Sequence, residues 1–363
     1  MKALVPDYIE KMQPYVPGKP IEETEREYGI SNVLKLASNE NPLGPSPLAV
    51  KAIEKVLPTL HLYPDASSHY LVKALAEHLK VQPNEVFVGS GSNEIIELLI
   101  RTVMHPGDEA LICGGSFQMY KVALNAHGRP WVEVPMREGY RYDLEAMAKK
   151  LSPKIRLVFL ANPDNPTSTA FSKAELETFL SKVSPDTIVA LDEAYFEYVD
   201  WAEYPNGLDY FRKMPNVLVM RTFSKIYGLA GVRLGYAVMQ PKLVEYLNRT
   251  KMPFNLTSVA QVAGIAALTD VEHVRSTQQA TWRGLRYLET ELKKLGVPVP
   301  RSYANFVFAD LGRPNGPVYE QMLRRGVIVR PVSLSGWPNA VRITAGLQGQ
   351  NERCVAALKE VLG

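Results

Sequence analysis

The feature that most constrains the fold is a regular alternation between short apolar, β-branched runs and longer amphipathic stretches. The apolar runs lie at 86–88, 110–112, 155–160, 187–191, 217–220 and 232–238, and amphipathic stretches follow three of them, at 93–103, 117–126 and 173–182. Strands that are apolar throughout are typically buried on both faces, and the amphipathic segments between them form covering helices. The alternation therefore predicts an α/β fold built on a large, mainly parallel sheet.

Two flanking regions depart from this alternation. The first 47 residues are irregular and rich in proline, as in PYVPGKP and SNENPLGPSP, which favours an arm that packs on another surface. Beyond about residue 256 the pattern changes to long helices and isolated strands, at 257–268, 271–295, near 306, 327–329, 341–343 and 351–362. We predict an arm at 1–47 that packs with the small domain, a large α/β domain at 48–256 and a small α+β domain at 257–363.

Composition excludes several classes of function. The 41 basic and 38 acidic residues leave a net charge of only +3, which gives no reason to expect nucleic acid or an anionic membrane as partner. Two cysteines are too few for a disulfide framework, and the six histidines form no close ligand pair, so no metal is expected. The N-terminus lacks the apolar core of a signal peptide, and no run could span a membrane, which predicts a cytoplasmic protein.

The segment TFSKIYGLAGVRLGY, residues 222–236, carries the clearest chemical signal. Lys225 follows a strand and lies among small, apolar and hydroxyl residues, where a lysine is either a surface residue or a desolvated nucleophile. Arg233 interrupts an apolar strand and requires an anion, and Thr222 and Ser224 add hydroxyls. One segment thus offers an amine for an aldehyde and a cradle for a phosphate, and pyridoxal 5'-phosphate (PLP) carries both groups.

A second signal is DTIVALDEAYFEY, in which Asp192 and Glu193 end an apolar run. The carboxyl ends of strands are the edge at which α/β sheets bind ligands. Asp192 either caps a following helix or faces a cation in a ligand. A carboxylate beside the pyridine nitrogen of PLP would keep that nitrogen protonated and make the ring a stronger electron sink, so Asp192 is the candidate for this role.

Two weaker signals accompany these. In ANPDNPTS, Asn165 precedes a proline, which indicates either an ordinary turn or a rigid turn that holds an amide in place. In VGSGSNEIIELLI, a strand leads through glycine into a helix, so the backbone N–H groups of Gly91, Ser92 and Asn93 can bind an anion at the helix start. The segment is neither a dinucleotide fingerprint nor a P-loop.

Taken together, these segments resemble the histidinol-phosphate aminotransferases, a family of fold type I PLP enzymes, over nearly the whole chain. The similar segments are PYVPGKP, LASNENPLGPSP, LYPDAS, GSGSNEIIELLIR, SFQMY, NPDNPTS, LDEAYFEY, TFSKIYGLAGVRLGY, GVIVRPV and VRITAG. Two positions depart from the family pattern: Phe117 stands where tyrosine is usual, and Ser168 stands where the turn usually has glycine. Phe117 can still stack on a ring, whereas Ser168 leaves the conformation of its turn open.

The resemblance implies that Lys225 holds PLP as a Schiff base and that Asp192 pairs with the pyridine nitrogen. It further implies that Asn165 and Tyr195 bind the ring hydroxyl and that Phe117 stacks on the ring. Around the phosphate it places Ser92, Asn93, Thr222, Ser224, Arg233 and, from the second subunit of a homodimer, Tyr63. For the substrate it implies that Arg342 binds the anionic group of each amino donor and that Arg330 and Tyr15 help to bind a substrate phosphate. Asn41 lies in the neighbouring arm.

The activity that the resemblance implies is transamination of L-histidinol phosphate with 2-oxoglutarate, which gives imidazole acetol phosphate and glutamate in histidine synthesis. An aromatic amino-acid aminotransferase remains an alternative, because hydrophobic pockets discriminate weakly between similar shapes. A PLP-dependent phospho-amino-acid decarboxylase is a further alternative, because the fold alone does not decide the reaction. A binding protein without activity ranks last, since Lys225 is present.

The two substrate arginines also have an alternative role. Arg330 and Arg342 could simply reach solvent from their strand ends.

Overall fold

The apolar runs of the sequence form the central sheet of the computed structural model, which describes residues 3–12, 14 and 17–363. The sheet has seven strands, in the spatial order Val86–Gly89, Gly235–Val238, Val217–Thr222, Ile188–Asp192, Ile155–Ala161, Glu109–Cys113 and Trp131–Val134. Only Gly235–Val238 runs antiparallel to its neighbours. The middle strands are buried almost completely, which explains their continuous apolar sequence. The predicted α/β architecture with a mainly parallel sheet is confirmed.

Helices cover both faces of this sheet and continue into the C-terminal region. Their bounds are Asp7–Glu10, Ile21–Tyr28, Pro47–Val56, His69–Leu79, Gly91–Val103, Met119–Ala126, Leu144–Ala148, Lys173–Leu180, Gly207–Phe211, Pro241–Thr250, Ser258–Leu268, Val271–Lys294, Asn315–Arg324 and Gln348–Leu362. Short 3₁₀ turns lie at Leu57–Thr59, Pro83–Glu85, Phe196–Tyr198, Ala230–Val232 and Ser333–Ser335. Among the described residues, no helix combines the length and the apolar character needed to cross a membrane.

A smaller unit is built around a second, antiparallel sheet. Its strands have the order Arg330–Pro331, Ala340–Thr344 and Phe306–Asp310. Beside it, Leu34–Lys35 from the N-terminal region pairs in parallel with Val327–Ile328. This pairing joins the beginning of the chain to its last third, a contact between residues almost 300 positions apart that the local sequence does not signal.

The helix Ser258–Leu268 bears on where the two units divide. It packs against Pro47–Val56 and His69–Leu79, and its alanines Ala260 and Ala263 lie in the same buried cluster as Leu71. These are contacts with the large unit, although the sequence pattern assigned this helix to the small one. We therefore propose a boundary after this helix rather than at residue 257.

One strand differs from its prediction in a way that matters for the site. The run 232–238 was expected to be a strand interrupted by Arg233, but the strand begins only at Gly235. Residues Ala230–Val232 form a 3₁₀ turn, and Arg233 adopts a left-handed conformation with φ 59°. A left-handed residue ends the turn and reverses the chain before the strand, so Arg233 lies in the approach to the strand and not within it.

Candidate active site

One edge of the large sheet collects the residues that the sequence singled out. Asp192 ends its strand, Lys225 follows Val217–Thr222, and Phe117 and Asn165 follow two further parallel strands. Since the carboxyl ends of parallel strands meet at one edge, these side chains surround a common cavity of about 310 Å³. Its lining includes twelve predicted residues: Ser92, Asn93, Phe117, Asn165, Asp192, Tyr195, Thr222, Ser224, Lys225, Arg233, Arg330 and Arg342.

Lys225 presents its amine to this cavity. Its Nζ donates a hydrogen bond to the Ser38 carbonyl at 3.2 Å and lies 5.9 Å from the centre of the Tyr195 ring. Burial, reinforced by the positive charges of Arg342 and Arg233, lowers the pKa of Lys225 to about 7. A large fraction of the amine is therefore neutral near pH 7, which is the nucleophilic form.

Asp192 lies buried at the end of its strand without a cationic partner. Its Oδ2 accepts a hydrogen bond from the Tyr120 hydroxyl at 2.8 Å, and its Oδ1 accepts one from the Ala194 N–H at 3.2 Å. No ion pair among the described residues includes it. Burial raises the pKa of Asp192 to about 6, although the Tyr120 bond acts in the opposite direction. The next element is only a short 3₁₀ turn, Phe196–Tyr198, so Asp192 does not cap an α-helix.

A corner rich in hydrogen-bond donors lies at the start of the helix Gly91–Val103. The Arg233 guanidinium packs so closely on Gly91 that an added Cβ would clash with it, and Gly91 itself has φ 76°. Across the corner, the Thr222 hydroxyl donates to the Ser224 hydroxyl at 3.0 Å. Helix N–H groups, hydroxyls and a guanidinium therefore converge here, and none of the ion pairs within the described part of the chain occupies Arg233.

The turn after Ile155–Ala161 fixes Asn165 at the cavity wall. Asn165 Oδ1 accepts a hydrogen bond from Arg342 Nη1 at 2.6 Å. Ser168, the departure from the usual glycine, has φ 61° and is fully buried. Its N–H donates to the Asp164 carbonyl at 3.0 Å, and its carbonyl accepts from the Tyr303 N–H at 2.9 Å. The serine thus adopts a left-handed conformation of the kind that glycine adopts readily.

The opposite wall of the cavity comes from the small unit. Arg330 and Arg342 are directly opposite each other on antiparallel strands, and both line the cavity. Arg342 Nη2 also donates to the Ala37 carbonyl at 2.6 Å, which ties the arm to this wall. Two guanidinium groups on neighbouring strands are able to pair with anions.

Three of the predicted residues that the structure describes are not part of this lining. Asn41 directs its amide to the Ile226 carbonyl at 2.9 Å and to the Thr277 hydroxyl at 3.1 Å. Tyr63 is 83% exposed and stacks on Phe254 at 4.7 Å, so its contribution to a partner subunit stays a prediction. Gly91 stands behind Arg233 rather than at the surface of the cavity. Tyr15 lies outside the described residues.

The structure adds residues that the sequence reading missed. Asn39 lines the cavity and donates to the Tyr195 hydroxyl at 2.9 Å. Tyr120, the partner of Asp192, stands three positions after Phe117, a spacing that places both on one side of a helix start. That spacing was a usable signal for Tyr120. Asn39 had no comparable local signal, because its partner Tyr195 is 156 positions away.

Fold and site together define an aminotransferase, and similarity to known proteins specifies which kind. The chain belongs to the family of class I and II aminotransferases, whose model matches residues 31–358. It is 54% identical, over 99% of both chains, to the histidinol-phosphate aminotransferase of Anaeromyxobacter sp. (strain Fw109-5). It is 45% identical to the enzyme of the same name from Moorella thermoacetica, over 98% of this chain and 92% of that one.

A solved structure agrees with these relatives. The crystal structure of histidinol-phosphate aminotransferase from Sinorhizobium meliloti in complex with pyridoxal-5'-phosphate superposes with a TM-score of 0.91 at 26% identity, covering 100% of this chain and 98% of that one. A Thermus thermophilus aspartate aminotransferase double mutant shares the fold, with a TM-score of 0.85 at 22% identity over 99% of this chain and 100% of that one. The predicted fold, that of the fold type I aminotransferases, is confirmed.

Proposed function

We propose that the protein is a PLP-dependent aminotransferase that converts L-histidinol phosphate and 2-oxoglutarate to imidazole acetol phosphate and glutamate. One observation carries the proposal: a single cavity joins Lys225 and the unpaired Asp192 on one wall to Arg330 and Arg342 on the other. The names of the closely similar relatives support the same substrate. We expect the enzyme to act in the cytoplasm.

The residues present fit PLP at three points. Lys225 offers a partly neutral amine to an aldehyde, the buried Asp192 lacks a cation among the described residues, and the corner formed by Ser92 and Arg233 can bind a phosphate. Bound PLP supplies an electron sink that stabilises negative charge on the α-carbon of the substrate. Asp192 would hold a proton on the ring nitrogen, which strengthens that sink.

The remaining side chains would orient the PLP ring and transfer the proton of the substrate α-carbon. Asn165 and Tyr195 would bind the ring hydroxyl, and Phe117 would stack on the ring face. The Lys225 Nζ would act as the base that takes the proton from the substrate α-carbon and then, in its protonated form, as the acid that delivers it two atoms away, to the carbon that carries the cofactor's aldehyde. A base with a pKa of about 7 suits both steps, because it accepts and releases a proton near neutral pH.

The side of the cavity that carries Arg330 and Arg342 must accept two different anions. Histidinol phosphate carries a phosphate and no carboxylate, whereas glutamate carries carboxylates, and a planar guanidinium can pair with either. Arg342 would serve both half-reactions, and Arg330, with Tyr15, would serve mainly the phosphate. Asn41 would act in the adjoining arm.

A second copy of the chain would complete the site. Leu57, Leu60, Leu62 and Tyr63 lie exposed on one short segment, and Tyr63 stacks on the exposed Phe254. Neighbouring apolar side chains of this number are typical of a surface covered by a partner. We expect a homodimer in which Tyr63 reaches the phosphate corner of the other subunit.

Single-turnover kinetics of each half-reaction test the substrate assignment. The PLP-loaded protein is mixed with histidinol phosphate, glutamate or phenylalanine, and the change in visible absorbance is followed. We expect histidinol phosphate to react more efficiently than phenylalanine. Arg330→Ala should lower the specificity for histidinol phosphate by roughly ten- to a hundredfold, the effect of losing one charge-assisted hydrogen bond, and should affect glutamate less. Arg342→Ala should impair both.

Three outcomes would contradict parts of this assignment. A wild-type preference for phenylalanine would favour an aromatic amino-acid aminotransferase. Release of CO₂ without an oxo-acid acceptor would favour a decarboxylase. Equal losses with histidinol phosphate and glutamate in Arg330→Ala would remove the special role of Arg330 in phosphate binding.

A further inference from the structure

Asn39 is a buried residue of the arm that contacts both units of the protein. Its backbone is left-handed, with φ 56°, a conformation that asparagine and aspartate tolerate better than other side chains. Its N–H donates to the Thr344 hydroxyl oxygen at 3.0 Å, and its carbonyl accepts from Asn305 Nδ2 at 3.0 Å. Its side-chain amide reaches Tyr195 at the cavity wall. Backbone and side chain are therefore both fixed.

The hydrogen bonds around Asn39 run in one direction, from the Thr344 hydroxyl through the Asn39 amide to the Tyr195 hydroxyl. A backbone N–H can only donate, so the Thr344 oxygen accepts from it, and the Thr344 proton remains available for Asn39 Oδ1 at 3.2 Å. With Oδ1 facing Thr344, the amide nitrogen faces Tyr195. Nδ2 therefore donates to the Tyr195 hydroxyl oxygen at 2.9 Å.

This direction determines what the Tyr195 hydroxyl can do. Its oxygen accepts from Asn39, so its own proton must go elsewhere, and among the described residues Tyr195 donates its hydroxyl proton to no acceptor. Tyr195 is 4% exposed and borders the cavity. A buried hydroxyl proton without an acceptor is costly, so the cavity side, where a ligand can accept, is its remaining direction.

We propose that Asn39 is a positioning residue that turns the Tyr195 hydroxyl proton toward the cavity and so makes Tyr195 a hydrogen-bond donor to a bound anionic oxygen. The inference rests on the proposed function, in which that oxygen belongs to the PLP ring. Burial raises the pKa of Tyr195 to about 12, against the opposing effects of Arg342 and Asn39, so the phenol stays protonated over the working pH range.

The variant Asn39→Asp reverses the direction of this bond. Aspartate keeps the volume and tolerates the left-handed backbone, but a carboxylate only accepts, so the Tyr195 proton turns toward it. The cofactor oxygen then loses a donor that favours its negative form. We expect the pH midpoint of the visible absorbance of PLP-loaded protein to rise by about one unit and the dissociation constant of PLP to rise about tenfold.

A double-mutant comparison separates action through Tyr195 from a general effect of the new charge. In the Tyr195→Phe background, Asn39→Asp should shift the midpoint much less than it does in the wild type, since the proton it redirects is absent. Shifts of equal size in both backgrounds would overturn the proposal.

Two further variants serve as controls. Thr344→Val removes the hydroxyl that orients the Asn39 amide and should give part of the shift, whereas Thr344→Ser should restore the wild-type midpoint. Asn216→Asp makes the same amide-to-carboxylate change at the far edge of the sheet, where Asn216 Nδ2 donates to the Ser184 and Thr187 carbonyls. The Asn216→Asp variant should be less stable than the wild type, but the pH midpoint of its visible absorbance should be unchanged.

Neutron diffraction from crystals of the deuterated, cofactor-free protein tests the inference without PLP. We expect the Tyr195 deuteron to point into the cavity and a deuteron on Asn39 Nδ2 to point at Tyr195. If the wild type takes up no PLP, the proposed function fails, but this map still decides the direction of the bond. A Tyr195 deuteron directed at Asn39 would refute the inference whatever the cofactor.

Discussion

Asp192 and Glu193 are adjacent carboxylates, both buried, that lie in opposite electrostatic surroundings. Glu193 Oε2 accepts from Arg221 Nε at 2.9 Å and Nη2 at 2.7 Å, and its Oε1 accepts from the Gly207 N–H at 2.7 Å. Among the described residues, Asp192 accepts hydrogen bonds only from the Tyr120 hydroxyl and the Ala194 N–H. Successive side chains at a strand end point to opposite faces, so Glu193 faces the interior of the fold and Asp192 faces the cavity.

This difference distinguishes a structural charge from a functional one. The Glu193 ion pair is complete, and the Arg221 guanidinium also packs over the Phe196 ring at 3.5 Å, so nothing from outside is needed. Asp192 is incomplete, because the fold supplies hydrogen bonds but no positive charge. A buried charge whose partner is missing from the protein indicates a ligand that brings the partner.

The largest effect is expected on the structural side. Glu193→Gln leaves the Arg221 charge buried without its partner, so the free energy of unfolding should fall by about 3–5 kcal/mol in denaturant titration. The turnover of protein that remains folded and saturated with PLP should change little. Replacing both partners, as Glu193→Leu with Arg221→Met, should recover part of the stability. A large loss of turnover at unchanged stability would show that Glu193 belongs to the site.

The matched change on the cavity side should reverse this pattern. Asp192→Asn keeps the volume but no longer holds a proton on the ring nitrogen, so kcat should fall by about 10²- to 10³-fold while PLP remains bound. The free energy of unfolding should stay the same or rise slightly, because a buried charge without a cation has been removed. Unchanged turnover at full cofactor occupancy would assign Asp192 a structural role only.

The smallest effect concerns the pH at which the cavity accepts its cofactor. Covalent capture of PLP needs a neutral amine, and the pKa of Lys225 lies at about 7 instead of 10.5. The rate of PLP uptake by the cofactor-free protein should therefore rise with pH through a midpoint near 7 and level off above it. Uptake is measured by borohydride trapping followed by peptide mass mapping.

A comparison lysine is available for this measurement. Burial also lowers the pKa of Lys251, but its Nζ donates to the Ala66 carbonyl at 3.0 Å outside the cavity lining. The reduced cofactor should be found on Lys225 and not on Lys251. A midpoint near 10, or a label on another lysine, would refute the assignment.

The sequence by itself determined the class of the fold, most strands of the large sheet and the candidate residues of its site. Runs such as 155–160 and 217–220 are apolar throughout because both faces of those strands are covered, and this pattern is local and readable. Lys225 and Asp192 were recognisable for the same reason, since an ionisable residue at the end of a buried strand conflicts with its surroundings. The short strands Leu34–Lys35 and Trp131–Val134 carried too little of this pattern to be identified.

Only the tertiary structure decided how the site is completed. Several contacts form between segments that come together only when the sheets pack. They are the pairing of Arg330 with Arg342, the hydrogen bond from Tyr120 to Asp192, and the hydrogen bonds that join Asn39 to Thr344 and Tyr195. Asn39 and Thr344 are 305 positions apart. The left-handed backbone at Arg233 and Ser168 is likewise held by packing against the local preference of those side chains. Such contacts leave no periodicity in the sequence, because each depends on the relative position of elements that propensity alone does not specify.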